Sequence, residues 1–173
     1  MKKYLFTIFC FVAISACAQN VTCDQLVNQG FELLGQGNFN LAIEKYRDAL
    51  KINSKKLEAH YGLGVAYSAI CLQSGGSCDS AINHFLEADK IKSGYRFTYR
   101  NIAICFIRNF QYEKAIEYCS KAIKQDKNDG ESYFYRGFSY IKLGKKEKGC
   151  EDLKKALEMG YALAKIELEK YCR

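Results

Sequence analysis

Small and apolar positions return along this chain at nearly one interval. Gly30, Gly64, Ala103 and Gly137 stand 34, 39 and 34 residues apart, and Ala49, Ala88, Ala122 and Ala156 stand 39, 34 and 34 apart. A third set, Ala42, Ala81, Ala115 and Gly149, repeats the second spacing. Small residues recurring at that period indicate one helix pair copied along the chain, with tight crossings kept wherever a bulky side chain would hold the helices apart. The pattern predicts an all-α protein with helix hairpins over about 23–56, 57–95, 96–129 and 130–160, and no sheet. Beyond them, Tyr161, Leu163, Ala164, Ile166, Leu168 and Tyr171 are interleaved with Lys165, Glu167, Glu169 and Lys170. That alternation suits a helix over about 161–172 that caps the last exposed apolar face of the stack.

The same markers locate an insertion. The first-helix marker keeps its 34-residue step from Gly30 to Gly64, whereas the second-helix marker lags by five from Ala42 to Ala81. The extra residues therefore fall between the two helices of the second unit, within 68–80.

The fourth unit reads Tyr133, Gly137, Tyr140, then Leu143-Gly144 at a turn, then Leu153 and Ala156. The third has Tyr99, Ile102-Ala103, Phe106, Ala115 and Ala122, and the first has Leu26, Gly30, Leu33, Gly37, Ala42, Tyr46 and Ala49. Over about residues 23–160 this resembles the tetratricopeptide repeat, whose 34-residue units fold as helix hairpins. The resemblance implies an α-solenoid of four hairpins and a capping helix. Three departures stand out: Ser54 and Lys127 occupy places where the family often has proline, Gly149 replaces the alanine of a second helix, and Cys119 replaces its aromatic.

In that family, first helices line a concave groove that binds peptide. Carried onto this chain, the groove positions are Val27, Phe31 and Leu34, then Tyr61, Val65 and Ser68, then Phe97, Arg100, Ile104 and Arg108, and finally Phe134, Phe138 and Lys142. The resemblance thus implies an apolar floor with three cations toward the C-terminal half, suited to an extended or helical segment with apolar anchors and an acidic residue. Family members that grip the C-terminal carboxylates of chaperones use Lys, Asn and Arg at defined positions. Here those positions carry Val27, Phe31, Gly62, Phe97 and Asn101, so that clamp is absent.

Composition changes this picture little. The 173 residues are 49% hydrophobic and 26% charged, without Pro or Trp, enough for one continuous core and short Gly/Asn/Ser turns. The net charge of +7 is uneven: residues 57–95 carry −2, while 96–129 and 130–173 carry +3 each. Lys142, Lys145, Lys146 and Lys148 surround one turn. This reads as a solvated face or as an attraction to acidic peptides, lipid headgroups or glycans.

Residues 1–18 read as an export signal. Lys2-Lys3 precede an apolar run from Tyr4 to Ala16, about 13 residues and too short for a permanent span. Ile14-Ser15-Ala16-Cys17 is similar to a lipoprotein signal that would leave Cys17 lipidated at the new N-terminus. Ala16-Cys17-Ala18 serves ordinary cleavage equally well, and both remain open. Either way the expected location is the periplasm or the membrane-anchored face of a bacterial envelope, with the single domain over 19–173. Membrane contact is expected only through that anchor, and nucleic acid is not expected as a partner.

Export makes disulfides reasonable for a chain with nine cysteines. Cys71 and Cys78 bracket the inserted stretch, and the hairpin that turns near Met159-Gly160 brings Cys150 and Cys172 to similar height. Cys105 and Cys119 fall on apolar helix faces and read as core. His60, His84 and the cysteines lack the spacing of a structural metal site, so no metal or cofactor is expected. No nucleophile, base and orienting group can be assembled from spacing. The chain reads as a non-catalytic interaction scaffold for a protein or peptide. Alternatives are a self-assembling envelope component and an accessory subunit that holds anionic glycan or lipid.

Overall fold

A computed structural model describes residues 21–95 and 97–173. The described residues form nine α-helices and no strand: α1 (Cys23–Gly35), α2 (Phe39–Ile52), α3 (Leu57–Ser74), α4 (Asp79–Ile91), α5 (Thr98–Arg108), α6 (Tyr112–Gln125), α7 (Gly130–Lys142), α8 (Lys146–Glu158) and α9 (Leu163–Tyr171). The proposed export signal and Cys17 lie outside these residues.

Each odd helix packs on the even helix that follows, and each hairpin packs on the next, so the chain is an all-α solenoid closed by α9 against α8 and α7. Start signals are local. At α1 the Thr22 side chain accepts from the Gln25 amide at 3.2 Å while the Gln25 side chain accepts from the Thr22 amide at 2.8 Å, a reciprocal cap that satisfies two otherwise orphaned donors. At α7 the Asp129 carboxylate does similar service for the Ser132 amide.

The small-residue markers mark close crossings. A Cβ built on Gly30 would lie 2.6 Å from the Tyr46 ring, and one built on Gly62 would lie 2.2 Å from it. The fully buried Tyr46 is therefore clasped between glycines of two successive units. Phe85 repeats the arrangement against Gly64, at 2.5 Å. In the fourth unit a Cβ built on Gly149 would lie 2.8 Å from the Gly137 carbonyl and 2.7 Å from Ile141. The glycine that replaces the usual alanine is thus demanded by a helix crossing, which offsets its helix-propensity cost of about 1 kcal/mol.

The inserted residues prolong a helix as well as forming a loop. α3 runs for 18 residues against 13 in α1 and 11 in α5, ends on Gly75 at φ 79°, and is tied to the start of α4 by a Cys71–Cys78 disulfide. A second disulfide, Cys150–Cys172, fixes the end of the capping helix to α8. Cys23, Cys105 and Cys119 are free thiols.

Candidate functional site

Which face is concave follows from helix contacts. α1 touches α3, α3 touches α5 and α5 touches α7, whereas among the described residues α2, α4, α6 and α8 make no such contacts with one another. The odd helices are therefore crowded on the inside of the curve, and their free stripe forms its inner wall.

The residues expected on that wall separate into three groups. Phe31, Val65 and Ile104 are half-buried on α1, α3 and α5, with Phe31 edge-on to Tyr46 at 5.5 Å. Phe134 and Phe138 are half-buried on α7 with ring centroids 6.5 Å apart. Phe97 is 58% exposed, Arg108 is exposed at the end of α5, and Lys142 holds its ammonium 5.0 Å from the Phe138 ring. All but Arg108, which ends α5 at the turn beside the inserted loop, lie along the first helices of the hairpins or at their start.

Val27 and Tyr61 are instead buried in the hydrophobic clusters. Tyr61 packs edge-on to Phe85 and Tyr95 and its hydroxyl accepts from Asn101 at 3.4 Å. The helix rotation that brings Gly62 onto Tyr46 turns its neighbour Tyr61 toward the next hairpin, so Tyr61 joins the core rather than the groove. Arg100 also departs from expectation: Asp129 at 2.7 Å and Glu131 at 3.2 Å hold its guanidinium, which stacks 4.4 Å from the Phe97 ring. It braces the α6–α7 turn, beside a cavity of about 390 Å³ that it lines with Phe97, Asp129 and neighbours, and is not a free groove cation.

The C-terminal end of the trough is partly closed by the protein itself. Tyr161, in the turn before α9, lies 4.9 Å from the Phe134 ring, and Tyr171 lies 5.9 Å from the Lys142 ammonium.

Two constellations were not legible beforehand. Arg136 of α7 forms a two-point ion pair with Asp152 of α8, at 2.7 and 2.9 Å, and donates to Ser120 of α6 at 3.2 Å. Arg136 stands in the register of Leu63 and Ile102, both fully buried, and the only signal was a charged residue at an apolar register. His60 and His84 face each other with Nδ1 atoms 3.4 Å apart, and His84 stacks on Tyr67. Burial, then His60 and Arg47, hold the His84 imidazole below its usual range. Among the described residues no group of three or more His, Cys, Asp or Glu could hold a metal ion. Burial pushes the Cys105 thiol up to about 11 and raises Cys119 further, which leaves both as unreactive thiols at neutral pH.

Comparison with known families decides what these hairpins are. A family model described as TPR repeat matches residues 30–70, and two described as tetratricopeptide repeat match residues 97–129 and 118–151. The chain carries tetratricopeptide repeats. Among curated proteins it is 29% identical over 149 residues to the BBSome complex member BBS4 of Bos taurus, covering 86% of this chain and 26% of that protein. It is 26% identical over 125 residues to anaphase-promoting complex subunit 3 of Schizosaccharomyces pombe, covering 72% and 18%. The chain therefore spans about a quarter or less of the length of these relatives.

Solved structures share the tetratricopeptide fold. A crystal structure of MamA protein superposes with a TM-score of 0.73 at 25% identity, over 87% of this chain and 80% of that one. YrrB, described as a TPR protein with an unusual peptide-binding site, superposes with a TM-score of 0.71 at 20% identity, over 84% and 74%.

Proposed function

We propose that this chain is a non-catalytic scaffold that holds a protein or peptide segment against the concave face of its repeats, outside the cytoplasm. The observation that carries the reading is the row of half-buried apolar side chains Phe31, Val65, Ile104, Phe134 and Phe138 along successive inner helices, with Lys142 beside it. Apolar anchors spaced by whole repeats suit an extended segment or one face of a helix, and the Lys142 ammonium favours an acidic residue in it. YrrB, which shares the fold, is described as having a peptide-binding site. The Cys71–Cys78 and Cys150–Cys172 disulfides support an oxidising compartment.

The test is capture from solubilised bacterial envelope, comparing the parent chain with Phe138→Ala/Lys142→Glu. Loss of capture with unchanged helical circular dichroism is expected. A double variant that captures the same protein as the parent counts against the groove. Mass spectrometry of the mature N-terminus separates lipidated Cys17 from simple cleavage, and an uncleaved N-terminus counts against export.

A further inference from the structure

The turns inside the hairpins differ at one register. Gly37 in the first unit and Gly144 in the fourth adopt φ 77° and 73°, the left-handed conformation that favours glycine. The third unit places Phe110 there, at φ 59°, among the described residues the only non-glycine with positive φ. A bulky side chain in that conformation is a genuine outlier, and such strain persists where the surroundings over-determine it, commonly at functional sites. Packing does not repay it: Phe110 is 76% exposed, the most exposed large apolar side chain among the described residues.

The turn is held rigid in presenting this ring. The Phe110 amide donates to the Ile107 carbonyl at 3.0 Å and the Gln111 amide to the Phe106 carbonyl at 2.8 Å. The preceding Asn109 accepts from the Cys78 amide at 3.0 Å and donates to Asp79 at 2.8 Å. The inserted, disulfide-closed loop of the second unit is thereby bolted to the turn that carries Phe110.

Charge completes the feature. Hairpins stacked in register put their internal turns on one edge of the solenoid, separate from the concave face. Along that edge residues 35–40 carry no charge, 74–80 a net −1, 108–114 a net +1 and 142–148 a net +3. Among the described residues Arg108 makes no ion pair, and Lys145 and Lys146 are exposed, with Lys146 donating only to the Arg173 carbonyl. An exposed aromatic beside a basic turn fits an anionic bilayer: the ring enters the interface while the cations meet headgroups. A soluble polyanion would engage the lysines but gain nothing from Phe110.

We infer that the edge formed by the α5–α6 and α7–α8 turns docks on an anionic lipid surface, with Phe110 as the inserting side chain and Arg108, Lys145 and Lys146 as headgroup contacts. This places the repeats on a membrane with the trough still free for its protein partner.

The chain contains no Trp, so Phe110→Trp creates a single reporter. The three hydrophobic clusters are built from residues 23–172, so the test uses residues 19–173, free of any leader or lipid. With vesicles of phosphatidylcholine and phosphatidylglycerol, the reporter emission blue-shifts, and it stays unshifted with phosphatidylcholine alone. Lys145→Glu/Lys146→Glu weakens vesicle binding about tenfold or more. Phe110→Gly, which restores the residue of the sister turns, weakens binding several-fold without lowering Tm. An unshifted reporter, equal binding to neutral vesicles, or a Phe110→Gly variant that binds like the parent would each overturn the inference; the last would leave only general adhesion of the lysines.

Discussion

The joint between the first two repeats and the joint between the last two solve the same packing problem with opposite chemistry. In the first, the Tyr46 ring fills the space between hairpins and glycines at 30 and 62 make room for it. In the second, the register of Tyr46 and Phe85 holds the small Cys119, and Arg136 replaces the apolar residue found at Leu63 and Ile102. Its guanidinium reaches both Asp152 and Ser120. A lost ring is thus replaced by an ion pair between α7 and α8 with a hydrogen bond from the same guanidinium to α6. The apolar joint gains its stability from burial and tolerates no added volume. The polar joint gains directionality, but it depends on every partner being present.

The largest effect should come from breaking the ion pair on one side. Asp152→Ala leaves the Arg136 charge desolvated without its carboxylate and should cost about 3–5 kcal/mol, read from urea unfolding. Replacing both, as Arg136→Leu/Asp152→Leu, should recover most of that loss, since well-packed apolar substitutes for buried ion pairs are often neutral. A double variant as unstable as the single would show that the polar joint has no apolar equivalent here.

At the apolar joint, Gly62→Ala pushes a methyl into the Tyr46 ring, whose Cζ would lie 2.2 Å away. Overpacking should cost about 1–3 kcal/mol even after the gain in helix propensity. Combining it with Tyr46→Leu should relieve the clash and leave a smaller deficit. If Gly62→Ala alone is harmless, the clasp around Tyr46 is looser than described.

The smallest effect concerns the register of Asp152 in the second unit, where His84 stands. His84 is held below its ordinary value of 6.5 by burial first, then by His60 and Arg47, with Glu87 opposing. A depressed histidine binds its proton more weakly folded than unfolded. Its stabilising contribution is therefore complete above about pH 6.5 and is lost as pH falls through the folded-state value. Thermal melts between pH 7 and 5 should show a decline that His84→Gln reduces. An identical decline in the variant would assign the slope to other groups.

Much of the fold was legible because repeats amplify a weak signal. One glycine says little, but small residues recurring in three registers located the hairpins, and the five-residue lag located the insertion. The two disulfides were legible once export was assumed, one because Cys71 and Cys78 bracket the insertion and the other because the last hairpin brings Cys150 and Cys172 to similar height. The binding wall was only partly so. Val27 and Tyr61 occupy turns that the family pattern assigns to the groove, yet a modest rotation of each helix turns them inward. Arg100 looked like a free cation because its partners, Asp129 and Glu131, lie about thirty residues downstream. Arg136 and Asp152 could not be paired by pattern, since each reads as an ordinary surface charge until α6, α7 and α8 are assembled.

The sequence by itself determined the helix periods, the stacking interval and the places where only a small residue fits, because these depend on local geometry repeated along one axis. The tertiary structure decided which apolar stripe faces in, which charges are satisfied and where a strained aromatic is held out to solvent. Those outcomes depend on helix rotation and on contacts between units, and both are fixed only when neighbouring hairpins pack together.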